Sequence, residues 1–281
     1  MRSIIVELRK NLTSAGFFIC VLFTVILLFC AEIYTDWLTM ERYSTIRALL
    51  DFDRAELAKQ TEFENIMVMS NARNGWITLF VPIITAFCFV LQMCAERAGN
   101  AVRYGICRSS KIKYNLSRCF SGIVSGGLAL ALGYAIFCGL VFFLFPNASE
   151  MSEFSAQAME NSQFDFLKAM LGMWLYGAFW SIPAMFCTSV MRNKYLIICI
   201  PFFLKYAMTQ TAYMLSNKAY ADLENINYTL AKFVGITRPE ALLYIDGGYY
   251  SWGGLLFYIA LAAAFIAGFG IIQCSRRDCG E

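Results

Sequence analysis

Long apolar blocks alternate with short polar stretches along the whole chain. Six blocks reach the length of a membrane span, at about 13–33, 75–95, 120–145, 167–190, 194–214 and 252–273. About 20 apolar residues cross a hydrocarbon core as helix. An open backbone finds no partner there, so the blocks are read as helices; the alternating strands of a membrane barrel are not present in the pattern. The prediction is an all-α integral membrane protein with six transmembrane helices in one domain, 1–281. The first block follows the basic start MRSIIVELRK, but its apolar run is too long for a signal peptide and LLFCAEIY is a poor cleavage site, so it is read as a retained span.

The polar stretches carry their own patterns. Residues 1–11 place Ile4, Ile5 and Leu8 at helical spacing among Arg2, Glu7, Arg9 and Lys10, the pattern of a helix lying on a membrane surface. The long loop 34–73 holds a stretch without Gly or Pro, and Tyr43, Ile46, Leu50 and Leu57 form a partial apolar stripe, so helix is expected there. SNARNG, Ser70 to Gly75, then turns the chain into the second span. Loop 216–250 is too apolar for plain solvent, and short helices re-entering the membrane are expected.

Charge sets the expected orientation. The segments 1–11, 95–119, 191–194 and 275–281 hold 13 Lys/Arg and 4 Asp/Glu; the loops 34–73 (with Glu32), 146–168 and 216–250 hold 9 and 16. The positive-inside rule puts both termini in the cytoplasm of a cell membrane. None of the 11 cysteines falls in the three outer loops, which fits reduced thiols and argues against a disulfide framework. Overall the chain is 59% hydrophobic and 15% charged, with mean hydropathy +0.55. An ordinary soluble domain carries about 25% charged residues, so no soluble domain of ordinary size is expected.

Catalytic chemistry is scarce. Histidine is absent, which excludes HExxH sites and most His-based catalysis, and no GxxxxGK[ST] phosphate loop occurs. The chain is read as a non-enzyme with no catalytic residue, no metal site and no cofactor of its own. Charge at membrane depth is costly and marks function. Lys205, in IPFFLKYAMTQTAY, is mid-span, with Pro201 one turn before it and Gln210 beyond. Either it lines a polar pathway, or it snorkels outward or pairs with an outer-loop acid. Gly122 and Gly126, and Ala260, Ala264 and Gly268, form small-residue faces for close helix packing, within one subunit or between two.

The loop 95–119 is the longest segment on the basic side. In CAERAGNAVRYGICRSSKIKY, Glu96 is a single acid among Arg97, Arg103, Arg108, Lys111 and Lys113. AERAGNAVRY is expected to continue the second span as helix until Gly105, and Ser110 to cap a new helix running into the third. Ala98, Ala101, Val102 and Ile106 add an apolar surface to the basic rim, which suits a groove on a soluble partner.

This pattern resembles the permease subunits of ABC-2 type exporters. The residues that carry the likeness are Glu96, Gly99, Tyr104, Arg108, Ser109, Lys111 and Tyr114, together with NKYLIICIPFFLKY, Asn193 to Tyr206, at the fifth span. The resemblance implies a type V exporter-like fold and a 95–119 coupling helix that docks on a separate ATPase through Glu96, Arg97, Gly99, Ala101, Val102, Arg103, Tyr104, Arg108, Ser109 and Lys111. It also implies a second permease subunit, ATP and Mg bound by the partner ATPase, and no nucleic acid. Lys205, Gln210 and Pro201 are the pathway candidates. The expected cargo is a hydrophobic or amphipathic molecule, with a peptide such as a bacteriocin or toxin preferred to a drug or lipid. An ATP-independent channel, sensor or assembly subunit is the alternative, and an intramembrane enzyme the lesser one.

Overall fold

The structure is a computed structural model of the chain and describes residues 2–35, 40–99, 110–147, 165–191, 193–221, 239–247 and 252–275. Each apolar block folds as helix. α1 (Arg2–Leu12) and α2 (Ala15–Phe29) meet at a 56° bend. Ser14 makes the corner: its hydroxyl donates to the Asn11 carbonyl at 2.7 Å and accepts the Phe17 N–H at 3.2 Å. The long helices are α6 (Trp76–Ala98), α7 (Lys111–Leu144), α8 (Phe166–Val190), α9 (Lys194–Ala221) and α10 (Trp252–Ser275).

Among the described residues, four helices are long and apolar enough to cross a membrane: Trp76–Arg97, Lys111–Leu144, Phe166–Val190 and Leu256–Gln273. The bent α1–α2 pair makes a fifth if counted as one span. The chain is therefore a membrane protein with four or five such helices among its described residues. α9 spans 28 residues, and over its described part Lys205 and the Thr209–Gln210–Thr211 run keep it out of that set. It continues unbroken through Pro201.

Between α2 and α6 the chain builds a small cap rather than helix alone. β1 (Glu32–Thr35) pairs antiparallel with β2 (Arg42–Ser44), Tyr34 facing Tyr43. Their rings stack at 6.2 Å, the cross-strand aromatic pair that stabilises a short ladder. Ser44 then caps α3 (Thr45–Asp51), and an Asp53–Glu56 capping box starts α4 (Arg54–Leu57). A 3-10 turn (Thr61–Phe63) and α5 (Asn65–Asn71) complete the cap. Phe52 and Phe63 join the two tyrosines in one cluster.

The expected stripe of Tyr43, Ile46, Leu50 and Leu57 does not hold. Leu57 is buried, but Ile46 is exposed and Leu50 is 80% exposed, because the cap closes on its aromatic rings instead. The cap seats on the end of α7: the Asn65 N–H donates to Pro146 O at 3.1 Å, and Tyr134 OH donates to Met69 O at 3.0 Å. Glu64 is buried here with Oε2 unpartnered among the described residues, and burial pushes its carboxyl above the usual range.

α7 is the axis of the bundle, in contact with α1, α2, α6 and α8. Its closest neighbour is α8, and glycine makes that approach. A methyl on Gly127 would stand 2.6 Å from the Trp174 carbonyl oxygen, and one on Gly177 would stand 3.0 Å from the Gly126 carbonyl oxygen. Gly122 and Gly126 face Met185 and Ser181 of α8, so the first small-residue face packs within the chain. Ala260 and Ala264 face outward on α10, while Gly268 meets Phe186.

Gly177→Leu should force α7 and α8 apart and lower stability by about 2 kcal/mol. Gly139→Ala, where nothing lies within 4 Å, should be neutral. Thermal unfolding of the purified protein in detergent checks both.

Candidate functional site

Two clusters of buried charge lie at opposite ends of the bundle. The first gathers at the α1 end. Glu96 sits on the last turn of α6, its side chain 10% exposed. Lys10 Nζ, from α1, donates to its Oε1, and Arg118, from α7, stands 2.8 Å from its Oε2. The Arg118 guanidinium, 7% exposed, also lies over the Tyr114 ring at 5.3 Å. Beside them Asn11 Nδ2 donates to Ser121 Oγ at 2.7 Å in a buried contact. A polar cleft between the three helices is lined by Glu7, Gln92 and Ser121 as well as by Glu96 and Arg118. One carboxylate thus ties α1 to α6 and α7, the two helices that the loop 100–109 joins.

The sequence-predicted docking residues divide around this knot. Glu96 is its centre. Arg97 donates to Met191 O at 3.3 Å, joining α6 to the end of α8. Gly99 is the C-cap of α6, with its N–H returned to Ala95 O at 2.9 Å. The described part of the helix ends at Ala98, and the expected continuation to Tyr104 lies outside the described residues. Ser110 caps α7, as expected, by accepting the Lys113 N–H at 3.4 Å, and Lys111 lies in the first turn. Ala101, Val102, Arg103, Tyr104, Arg108 and Ser109 lie outside the described residues, as does the expected break at Gly105.

The second cluster lies at the cap end. Lys205 is 2% exposed and occupies the buried stripe of α9 with Ile197 and Pro201, at intervals of four residues. It does not snorkel toward lipid. Its ammonium lies over the Trp180 ring at 5.7 Å and pairs with the Glu240 carboxylate. Gln210, one turn beyond, is half-buried.

Glu240 belongs to a 3-10 segment, Pro239–Gly247, that re-enters the bundle. Leu242 and Leu243 are buried. The Leu242 carbonyl lies so near Gly172 of α8 that a methyl there would come within 2.6 Å of it. Arg73 Nη1 donates to Leu243 O at 2.6 Å, and its guanidinium lies over the Tyr244 ring at 5.0 Å. A re-entrant backbone away from water needs such partners. The segment is held at one end by Lys205 and near its middle by Arg73.

Sequence reasoning singled out Lys205 but not Glu240, Arg73 or Arg118. Arg73 reads as part of a polar turn, yet it is 1% exposed. The lone acid among basic residues at Glu96 was the available signal for the first knot. Arg73 bonds locally to Ser70 O and Oγ, as a polar turn would, and nothing local marks its burial, because the Leu243 carbonyl that it reaches lies 170 residues away. Among the described residues no three His, Cys, Asp or Glu side chains come together as a metal cage. No family model and no curated protein matches this chain.

Glu96→Gln should release α1 from α6 and α7, because Arg118 keeps its buried charge without a carboxylate; the expected loss is about 3 kcal/mol. Lys10→Met, whose side chain is 46% exposed, should cost about 1 kcal/mol or less. Hydrogen exchange of the α1 amides in the two variants separates these outcomes.

Proposed function

We propose that the chain is the membrane permease subunit of an ATP-driven exporter of the ABC-2 type. In this reading α1 lies at the inner surface of a cell membrane, α2 and α6 to α10 provide six passages, and both termini are cytoplasmic. The charge asymmetry of the loops supports that orientation. The cap and the Pro239–Gly247 segment then face outward.

The observation that carries the proposal is the Glu96 knot. The basic loop 100–109 leaves α6 just after Glu96 and enters α7 just before Arg118. A force on that loop reaches α6 and α7 directly and α1 through Lys10. An engine docked on the loop would move three helices together. The chain carries no phosphate loop, so the ATPase and its Mg would come from a separate subunit. The docking residues in this reading are Arg103 and Arg108 with their apolar neighbours Ala101 and Val102. A second permease subunit would complete the pathway, with a hydrophobic or amphipathic cargo and a peptide as the preferred class.

A sensor reading has one observation in its favour, the folded cap with Leu50 and Met40 exposed. It leaves the basic loop without a role, and the permease reading is preferred.

Purification of the chain from its native membrane, with its own partners, should bring along an ATPase subunit, and the complex should hydrolyse ATP. Arg103→Glu with Arg108→Glu should lose the partner while the permease chain still folds. Transport that survives this double charge reversal, with no ATPase ever captured, would remove the proposal.

A further inference from the structure

The Lys205–Glu240 pair is lopsided. The lysine side chain is 3% exposed and fixed in the middle of a 28-residue helix, whereas the glutamate side chain is 28% exposed and comes from a nine-residue turn. The cation is a permanent part of the wall. Its anion arrives from a separate segment and is the more exposed of the two. A buried ammonium favours a carboxylate strongly over water-poor alternatives, so displacing Glu240 is easiest for a ligand that brings a carboxylate of its own.

The surroundings fit an apolar tail behind that carboxylate. The Trp180 ring walls the ammonium on one side. On α9 the two neighbours of Lys205, Leu204 and Tyr206, are exposed and apolar or aromatic and border the buried stripe on either side. A head group reaching Lys205 would carry its chain outward past one of them, not along the opposite face.

We infer that Lys205 and Trp180 form a binding site for a carboxylate-bearing amphipath, and that Glu240 is its built-in occupant. An incoming carboxylate takes the place of Glu240 on the ammonium. The Pro239–Gly247 turn then loses its Lys205 anchor and keeps the Arg73–Leu243 one. Ligand binding and release of the turn are thereby the same event, since the ligand favours the state in which Glu240 has left. The inference deepens the permease reading by naming a cargo class, and it rests on that reading only for the direction of traffic.

The test uses the purified full-length chain in discs of zwitterionic lipid, without nucleotide or ATPase, so the fate of the ATPase proposal does not bear on it. The probe is N-dodecanoylglycine, and its neutral twin is the methyl amide. The acid should bind saturably and speed hydrogen exchange over 239–247, while the amide should do neither. Lys205→Met should weaken acid binding by roughly thirtyfold or more, the equivalent of one lost buried charge contact. Glu240→Gln keeps the lysine and serves if Lys205→Met fails to fold. It should speed exchange over 239–247 without ligand and bind the acid more tightly than the unaltered chain. Equal effects of acid and amide, unchanged affinity in Glu240→Gln, or no saturable binding at all would each overturn the inference.

Discussion

A cation taken out of water must find a counter-charge or a hydrogen-bond acceptor inside the protein, and three long-range contacts of this fold meet that constraint. Arg118, Arg73 and Lys205 are all buried. Each is held by a group from a distant part of the chain: Glu96 for Arg118, the Leu243 carbonyl for Arg73 and Glu240 for Lys205. Desolvating an ion costs several kcal/mol, and a single well-placed partner offsets only part of it. Removing one partner is therefore more damaging than the pair is stabilising. Two of the elements that these contacts hold are short: α1 has 11 residues and the Pro239–Gly247 turn has nine.

The helices themselves depend on packing of a different kind. α7 and α8 approach through Gly126, Gly127 and Gly177, where backbone meets backbone. Between helices in lipid there is little hydrophobic gain to collect, so close contact has to supply the attraction. The bundle thus combines a tight glycine-lined centre with ion-paired ends.

Much of the architecture was legible in the hydropathy pattern. The helical blocks, the N-terminal helix and the Ser110 cap all follow from local period and turn chemistry. The cap hairpin was not legible, because Glu32–Thr35 and Arg42–Ser44 are too short to show alternation and are fixed by tyrosine stacking. The spacing of Tyr43, Ile46, Leu50 and Leu57 pointed to helix, and α3 and α4 form there, with Ile46 and Leu50 left exposed because aromatic side chains fill the cap's core. Lys205 stood out as a charge in an apolar run, but its partner could not be chosen among the acids of the outer loops. Arg73 gave no signal, since its burial is decided by a segment far along the chain.

The central claim is that ionic coupling between Lys205 and Glu240 holds the re-entrant turn in the bundle. A double-mutant cycle measures that coupling directly. Thermal unfolding of the unaltered chain, Lys205→Met, Glu240→Gln and the double variant in lipid discs should give a coupling energy of about 2 kcal/mol, the double variant being less damaged than the two single losses combined. Additivity within about 0.5 kcal/mol would contradict the account.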